Sequence, residues 1–168
     1  MRLIKPTKQY EQSWKNTIRE FEEEGVGGFW NIPKKPTDLD AYIELTEKNS
    51  RGEYVPNGWI VPNSTYWLID NDEIVGHVNI RHELNERLEK RGGNIGYAIR
   101  SSARKKGYGI KILELGLLQA KELGLHRLLI TCHDTNIPSR KIIERNGGIF
   151  SDEIEFEGER IQRYWVEV

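Results

Sequence analysis

The segment that decides the fold is residues 96–109, "GYAIRSSARKKGYG", in which a short strand pattern runs into a basic turn that contains two glycines. An apolar segment at 110–118, "IKILELGLL", follows at once and predicts a helix. The first turn of a helix leaves backbone N–H groups without intrahelical partners, and the helix dipole adds partial positive charge there. A strand, such a turn and a helix together form an arrangement that binds phosphate.

The residue types in the turn fit this interpretation. Gly107 and Gly109 carry no side chain, so a pyrophosphate could reach the backbone amides of 105–110. The counter-charge comes from Arg104, Lys105 and Lys106. Taken alone, such a turn is more typical of a solvated basic loop before an ordinary helix, so the surrounding residues must decide. Two nucleotide motifs are excluded: G-x-x-x-x-G-K-[ST] is absent, and Ile112 stands where the dinucleotide fingerprint needs a third glycine.

The composition bounds the class of protein. The chain has 168 residues, 37% apolar and 30% charged, which is typical of one globular domain. A net charge of -1 argues against general nucleic-acid binding, which needs a basic excess. The single cysteine, Cys132, lies in an apolar strand, which predicts a buried, unreactive thiol and no disulfide. Because no signal peptide or membrane span is recognisable, we expect a cytoplasmic protein without nucleic-acid or membrane partners.

Hydrophobic periodicity predicts the element order β-α-α-β-β-β-α-β-α-β-β. Two strand patterns joined by a polar turn at 70–72 predict a hairpin, whose second strand has one apolar and one mixed face. A polar excursion at 85–93 predicts a short helix, and Gly124 and Gly147 are typical helix stops. Helices alternate with strands only in the second half, which indicates an α/β protein with a mixed sheet, of α+β character.

A second segment completes the pattern: residues 131–148, "TCHDTNIPSRKIIERNGG". The two segments together resemble the GNAT superfamily of N-acetyltransferases. The acetyl-CoA loop of that family, [RQ]-x-x-G-x-[GA], is matched by Arg104, Gly107 and Gly109. Its later signature is an Asn-led helix, matched here by Asn136, Ser139, Ile142, Glu144, Arg145 and Gly147. The resemblance is good over 65–150, and the element order of the whole chain fits.

The resemblance implies the GNAT fold as a single domain over 1–168, with acetyl-CoA as co-substrate between two splayed strands and no metal. Backbone groups of Tyr97, Ala98 and Ile99 would pair with the pantetheine arm like an added strand. The pyrophosphate would be bound by the loop residues Arg104, Lys105, Lys106, Gly107, Tyr108, Gly109 and Ile110. Asn136 and Ser139 would hydrogen-bond the pantetheine arm.

The resemblance also implies an acyltransferase that moves the acetyl group directly from acetyl-CoA to a primary amine. The amine, with a pKa near ~10, must first lose a proton. Glu83 and His133 border the splayed strands in the family and are our first candidates for the base. A backbone N–H near Ile99 would polarise the thioester carbonyl.

One position departs from the family pattern. Ile143 stands where many members carry a tyrosine that protonates the departing thiolate, so that residue cannot be the acid. Tyr97 is our candidate for this catalytic role, with Tyr108 as the other tyrosine near the site. Coenzyme A thiolate is a good leaving group, so catalysis does not depend absolutely on an acid.

The acceptor stays open at this point: a small amine, an amino-acid derivative and a protein amine all fit. Trp30 and Trp59, each in a loop rich in Gly, Pro and Asn, are candidates for an aromatic rim around a cationic amine, or for packing. Exposed edge strands near the C-terminus would permit a homodimer. The alternative function is a non-catalytic acyl-CoA-binding or sensor module. A third reading is an anion-binding loop in an unrelated α/β domain.

Overall fold

The computed structural model describes residues 1–25, 38–53 and 60–168. The strands are β1 (Arg2–Ile4), β2 (Asn63–Asp70), β3 (Glu73–Arg81), β4 (Ile95–Ile99), β5 (Arg127–His133), β6 (Ile149–Phe156) and β7 (Glu159–Glu167). The helices are α1 (Glu11–Glu23), α2 (Leu39–Ser50), α3 (Glu86–Lys90), α4 (Tyr108–Glu122) and α5 (Ile137–Arg145), with 3₁₀ turns at Lys8–Tyr10 and Ser101–Ala103. Within the described ranges the predicted element order is confirmed, including the short helix after β3.

The first sheet is antiparallel throughout, with strand order β1-β2-β3-β4. Its β2–β3 hairpin turns at Asn71 and Asp72, which both adopt left-handed backbone conformations (φ 47° and 58°). Asn and Asp tolerate this region better than other residues with a side chain, and two consecutive positive φ values match the twist of a tight hairpin. The turn sets the register that pairs Val78 of β3 with Tyr66 of β2 on one side and with Tyr97 of β4 on the other.

Both faces of this sheet are covered by helices. On one face Val78 and Ile80 pack into the main core with Ile112 and Leu113 of α4. On the other face the edge of the Phe21 ring in α1 meets the His77 ring at a centroid distance of 5.6 Å. The mixed face of β3 is therefore as buried as the apolar face, which the alternation alone does not reveal. Among the described residues, no helix combines the length and hydropathy needed to cross a bilayer.

The second sheet has the order β5-β7-β6 and is also antiparallel. The core face of β5 contributes Leu128 and Ile130, which pack with Tyr164 and Val166 of β7. β6 is an edge strand, and its first two residues are apolar and largely exposed. α5 lies between β5 and β6 in the chain and packs against α4.

The two sheets meet where β4 begins. The backbone N–H of Asn94 donates to the Leu129 carbonyl (2.7 Å), and the Asn94 side-chain Oδ1 accepts from the Leu129 N–H (2.8 Å). Gly93 permits this approach, because a Cβ there would overlap the Leu129 carbonyl oxygen. Past this point, no backbone hydrogen bond joins β4 to β5 in the part of the chain that the structure describes. The two strands diverge, and the gap between them is the start of the functional site.

Candidate active site

A cleft of about 550 Å³ occupies the gap between the diverging strands. Gly96 and Tyr97 of β4 line one wall, and the other wall is residues 130–133 of β5. Asn136 and Ser139, at the start of α5, line it too. Strands that separate leave the outer edge of β4 with unpaired backbone groups, which an extended ligand can satisfy as an additional strand would.

The glycine turn forms the N-terminus of α4, as predicted. Gly107 is the N-cap and adopts a left-handed conformation (φ 84°), and Lys105 does so as well (φ 61°). The helical ladder begins with the N–H groups of Ile110 and Lys111, which both donate to the Gly107 carbonyl. In the described ranges the amides of 105–109 make no backbone hydrogen bond, so they are available to an anion.

Gly107 and Gly109 are each required at their position for a different structural reason. An added Cβ on Gly107 would meet no atom within 4 Å, so this glycine is required by its backbone conformation. A Cβ on Gly109 would lie 2.6 Å from Cδ1 of Ile142, so this glycine lets α4 pack closely against α5. The sequence argument gave Gly109 a role in ligand access and did not include this packing role, which depends on a residue 33 positions away.

Arg104 is predicted to supply counter-charge to the pyrophosphate, but in the structure its guanidinium is paired with Glu24 of the chain itself. Nη1 and Nη2 donate to the two carboxylate oxygens of Glu24 (2.7 Å each), and Nε donates to the Ile99 carbonyl (2.9 Å). The side chain thus ties the end of β4 to the end of α1. The Lys106 Nζ donates to the Ser102 carbonyl (2.9 Å). The basic groups that remain nearest the exposed amides are on Lys105 and Lys106.

The structure brings together three of the predicted residues at the opposite end of the cleft. The Ser139 N–H donates to Oδ1 of Asn136 (3.1 Å), so Asn136 caps α5, and Pro138 suits the first turn. The Ser139 hydroxyl is 3.1 Å from the Tyr97 hydroxyl. Burial raises the pKa of Tyr97 to about 12, so this phenol stays protonated at neutral pH, and either hydroxyl can donate in the pair.

Positions 143 and 108 supply no second candidate for the acid that protonates the thiolate. Ile143 is fully buried in the core, packed against Gly148, and has no access to the cleft. The Tyr108 hydroxyl donates to Oδ2 of Asp70 (2.6 Å), in the β2–β3 turn. Tyr108 is thereby held to the first sheet, and the interpretation of its side chain as an acid does not fit the geometry. Among the described residues, Tyr97 is the tyrosine that lines the cleft.

Of the two candidate bases, His133 lines the cleft and Glu83 does not. His133 ends β5, and its Nε2 lies 3.3 Å from Nη2 of Arg91 and 3.7 Å from Oε2 of Glu159. Because an arginine can only donate, Nε2 can take part in this pair only as the acceptor. Glu83 lies in the loop after β3 with an exposed side chain.

The other histidines near β3 are structural. His77 is 2% exposed, and burial lowers its pKa to about 4. Its ring therefore stays neutral beneath α1, away from solvent. The Nε2 of His82 is 2.9 Å from the Ser64 hydroxyl of β2. Cys132 is buried as expected, and burial raises the pKa of its thiol to about 11, although one side of it reaches the cleft wall.

Sequence reasoning missed three residues that shape the cleft: Asn94, Arg81 and Arg91. Asn94 follows two glycines and precedes the apolar strand β4, a position in which a polar residue often has a structural role. Arg81 and Arg91 both line the cleft. Arg81 is a charged residue at the end of β3, a strand that is buried from Ile74 onward. Trp30 and Trp59, the predicted aromatic rim, lie outside the described residues.

Comparison with known proteins agrees with this geometry. Residues 10–149 match the profile of the family described as Acetyltransferase (GNAT) domain. The uncharacterised N-acetyltransferase YnaD of Bacillus subtilis (strain 168) is 25% identical over 130 residues, which are 66% of this chain and 72% of that protein.

Two solved structures show the same fold at low sequence identity. The microcin C7 self-immunity acetyltransferase MccE, in complex with acetyl-CoA and AMP, superposes with a TM-score of 0.71 at 15% identity, covering 99% of this chain and 91% of MccE. RimL, a ribosomal L7/L12 α-N-protein acetyltransferase, superposes with a TM-score of 0.70 at 13% identity, covering 99% and 89% of the two chains.

Proposed function

The chain belongs to the GNAT acetyltransferase family, and from that premise we propose that it transfers the acetyl group of acetyl-CoA to a primary amine by direct attack. The observation that carries the proposal is the divergence of β4 from β5 next to a helix N-terminus with exposed amides. The cleft offers an extended arm a strand edge to pair with, and the loop offers a pyrophosphate a set of N–H donors. This combination favours an acyl-CoA co-substrate.

We keep the predicted cofactor contacts in this proposal, with one change at Arg104. Tyr97, Ala98 and Ile99 would pair with the pantetheine arm along the edge of β4 that faces away from β3, although the Ile99 carbonyl already accepts from Nε of Arg104. The amides of 105–110, with Lys105 and Lys106, would hold the pyrophosphate, and Arg104 would stabilise the loop indirectly through Glu24. Asn136 keeps its side-chain N–H₂ for a ligand while Oδ1 caps α5.

His133 is the base that this geometry supports better than Glu83. It lies on the cleft wall, whereas the Glu83 side chain is exposed outside the lining. In the described arrangement Arg91 donates to Nε2 of His133, so the ring can accept a proton from the amine only when Arg91 shifts toward Glu159, with which it already forms an ion pair. Glu83 would require a chain of waters to the amine.

Tyr97 is the acid that we propose for the departing thiolate. Its hydroxyl is inside the cleft, next to the Ser139 hydroxyl, and its pKa of about 12 keeps the phenol protonated at neutral pH. A phenol with so high a pKa is a weak acid, so its contribution is a hydrogen bond that stabilises the thiolate rather than a complete proton transfer.

The acceptor class is an amine. RimL, by its description, acetylates the α-amine of a ribosomal protein, so a protein amine fits this fold, and a small amine fits the cleft equally well. The family match ends at residue 149, but β6 and β7 complete the sheet that contains β5. We therefore propose that residues 1–168 form one domain. A cytoplasmic location and a homodimer stay predictions.

The test is a calorimetric titration of acetyl-CoA into the protein in phosphate-free buffer, followed by a thiol-release assay with a panel of primary amines. We expect one-to-one binding with a micromolar Kd. Replacing Lys105 and Lys106 together by Gln should weaken binding about tenfold and reduce its salt dependence. Lys141→Gln, on the exposed face of α5, is the matched control and should bind like wild type. Absence of binding would overturn the proposal, and binding without thiol release would indicate a sensor.

A further inference from the structure

The C-terminal end of α1 carries a charge pattern that the helix itself does not explain. Glutamates at 20, 22, 23 and 24 fall in its last turn or just after it, and that turn contains no basic residue. The C-terminus is the negative end of the helix dipole, which disfavours carboxylates. Acidic side chains placed there gain their stability from partners outside the helix, as Glu24 does from Arg104.

Glu20 accepts three hydrogen bonds from the segment between β4 and the phosphate loop (residues 104–109). Its Oε2 accepts from the Ser101 hydroxyl and from the Ser102 N–H (3.0 Å each), and its Oε1 accepts from the Ser102 hydroxyl (2.8 Å). Nε of Arg100 lies 3.8 Å from Oε1. Burial opposes the charge of Glu20, but these hydrogen bonds and Arg100 outweigh it and lower the pKa of the carboxyl. The carboxylate is therefore ionised at neutral pH and can accept all three bonds.

The segment that Glu20 holds leads directly into a strained position of the phosphate loop. Lys105 has a left-handed backbone (φ 61°), which a residue with a side chain keeps only where its neighbours are fixed. Arg104, on one side, is fixed by Glu24. Lys106, on the other side, donates from Nζ to the carbonyl of Ser102 (2.9 Å), which Glu20 holds. Glu20 thus contributes to both flanks of the strained residue.

This support bears on anion binding. Loop amides bind a pyrophosphate tightly only when they point at one place before the anion arrives, because ordering a loop on binding costs affinity. The exposed amides of 105–109 follow the 3₁₀ turn Ser101–Ala103 directly, so the position of that turn sets their direction.

We propose that Glu20 is a positioning residue for the co-substrate, holding 101–106 in the conformation that presents the loop amides to the pyrophosphate. The inference rests on the proposed binding of acetyl-CoA and adds to it a carboxylate on α1. It predicts an effect opposite in sign to simple electrostatics. A carboxylate beside an anion site repels the anion, so removing a bystander would tighten binding, whereas removing Glu20 should weaken it.

The first experiment is a calorimetric titration of acetyl-CoA, and separately of inorganic pyrophosphate, into wild type and three variants. Glu20→Ala should weaken the Kd of both ligands at least roughly tenfold. Glu20→Gln should stay within about threefold, because its amide oxygen can accept from Ser101 and the Ser102 N–H while its N–H₂ donates to the Ser102 hydroxyl. Glu23→Ala, which removes an exposed glutamate from the same turn, is the matched control and should bind at least as tightly as wild type.

The second experiment measures hydrogen exchange in the protein without ligand. The N–H groups of Ser102, Ala103 and Arg104 all donate hydrogen bonds in the turn that Glu20 supports. In Glu20→Ala they should exchange at least roughly tenfold faster than in wild type, while the amides of 112–120 in α4 and 128–132 in β5 keep their rates. A change confined to the turn separates positioning of the loop from a general loss of stability.

Three results would overturn the inference: an unchanged or tighter Kd in Glu20→Ala, an equal weakening in Glu23→Ala, or faster exchange throughout α4 and β5. The first would make Glu20 a bystander, the second would reduce it to helix charge, and the third to a stabiliser of the whole fold. Failure of wild type to bind acetyl-CoA would instead refute the proposed function. The pyrophosphate titration and the exchange rates would then decide the inference, and wild type that bound neither ligand would overturn both.

Discussion

A single residue, Asn94, makes both of the hydrogen bonds that join the two sheets at Leu129. Its backbone N–H donates to the Leu129 carbonyl, and its side-chain amide oxygen accepts from the Leu129 N–H, so a side chain replaces one half of an ordinary strand pair. Because the side chain ends there, the pairing cannot continue, and β4 and β5 separate. The width of the cleft is thus set at one position.

Asn94→Ala should destabilise the fold and loosen the cleft. The Leu129 N–H would be left buried without its acceptor, which costs about 1–3 kcal/mol. The free energy of unfolding in urea checks this value, and acetyl-CoA affinity should fall in parallel because the strands lose their fixed separation. Gln12→Ala, which removes an exposed side-chain pair on α1, is the control and should change stability by less than about 0.5 kcal/mol. An unchanged unfolding midpoint for Asn94→Ala would contradict the role of this junction.

Gly93→Ala should be far more damaging than a comparable change elsewhere. Both Gly93 (φ 59°) and Gly124 (φ 83°) have left-handed backbones, so alanine is strained at either position by roughly 1–2 kcal/mol. At Gly93 the new Cβ would also overlap the Leu129 carbonyl, whereas at Gly124 it would meet nothing within 4 Å. Thermal unfolding of the two variants isolates the steric part, and equal Tm losses would show that the close approach of the sheets does not matter.

The free energy of unfolding should decrease as the pH falls from about 6.5 to about 4, the range in which folded His77 stays neutral. The native pKa of this histidine is about 4, and the unfolded value is about 6.5. Between these values the unfolded chain binds a proton that the folded chain does not, so acid favours unfolding, and above pH 6.5 the group contributes nothing. The free energy of unfolding should drop by about 2 kcal/mol between pH 7 and 5 from this group.

Histidine variants distinguish the contribution of His77 to this pH dependence from that of carboxylates that titrate at similar pH values. His77→Gln lowers stability at every pH, but its dependence on pH over this window should be flatter than that of wild type. His126→Gln, at an exposed position before β5, should leave the slope unchanged. If wild type and His77→Gln show the same slope in urea unfolding at pH 7, 6 and 5, the histidine is not the group that is responsible.

Tyr97→Phe should lower kcat about tenfold while the Kd for acetyl-CoA stays within roughly twofold, because the lost hydroxyl acts on the departing thiolate. With a pKa of about 12, Tyr97 itself should add no alkaline limb to the rate profile below pH 10. Tyr108→Phe, whose hydroxyl is held by Asp70, should keep the wild-type kcat. Equal effects of the two changes, measured by thiol release, would remove Tyr97 from the mechanism.

Much of the fold is readable from the sequence, because it depends on near neighbours. The alternation along β3, the Asn136 cap with Pro138, and the left-handed glycine before α4 each come from a few consecutive residues. The anion-binding loop and the Asn-led helix are recognisable for the same reason. Their order along the chain was sufficient to predict the architecture.

The partners of individual side chains were decided by the tertiary structure alone. Arg104 meets Glu24 across 80 positions, Tyr108 meets Asp70 across 38, and Asn94 meets Leu129 across 35. Such contacts depend on how helices and sheets pack, and a local pattern carries no information on that. The sequence by itself determined the fold family and the phosphate loop, whereas only packing decided which charges face the cleft, with Arg81 inside it and Glu83 outside.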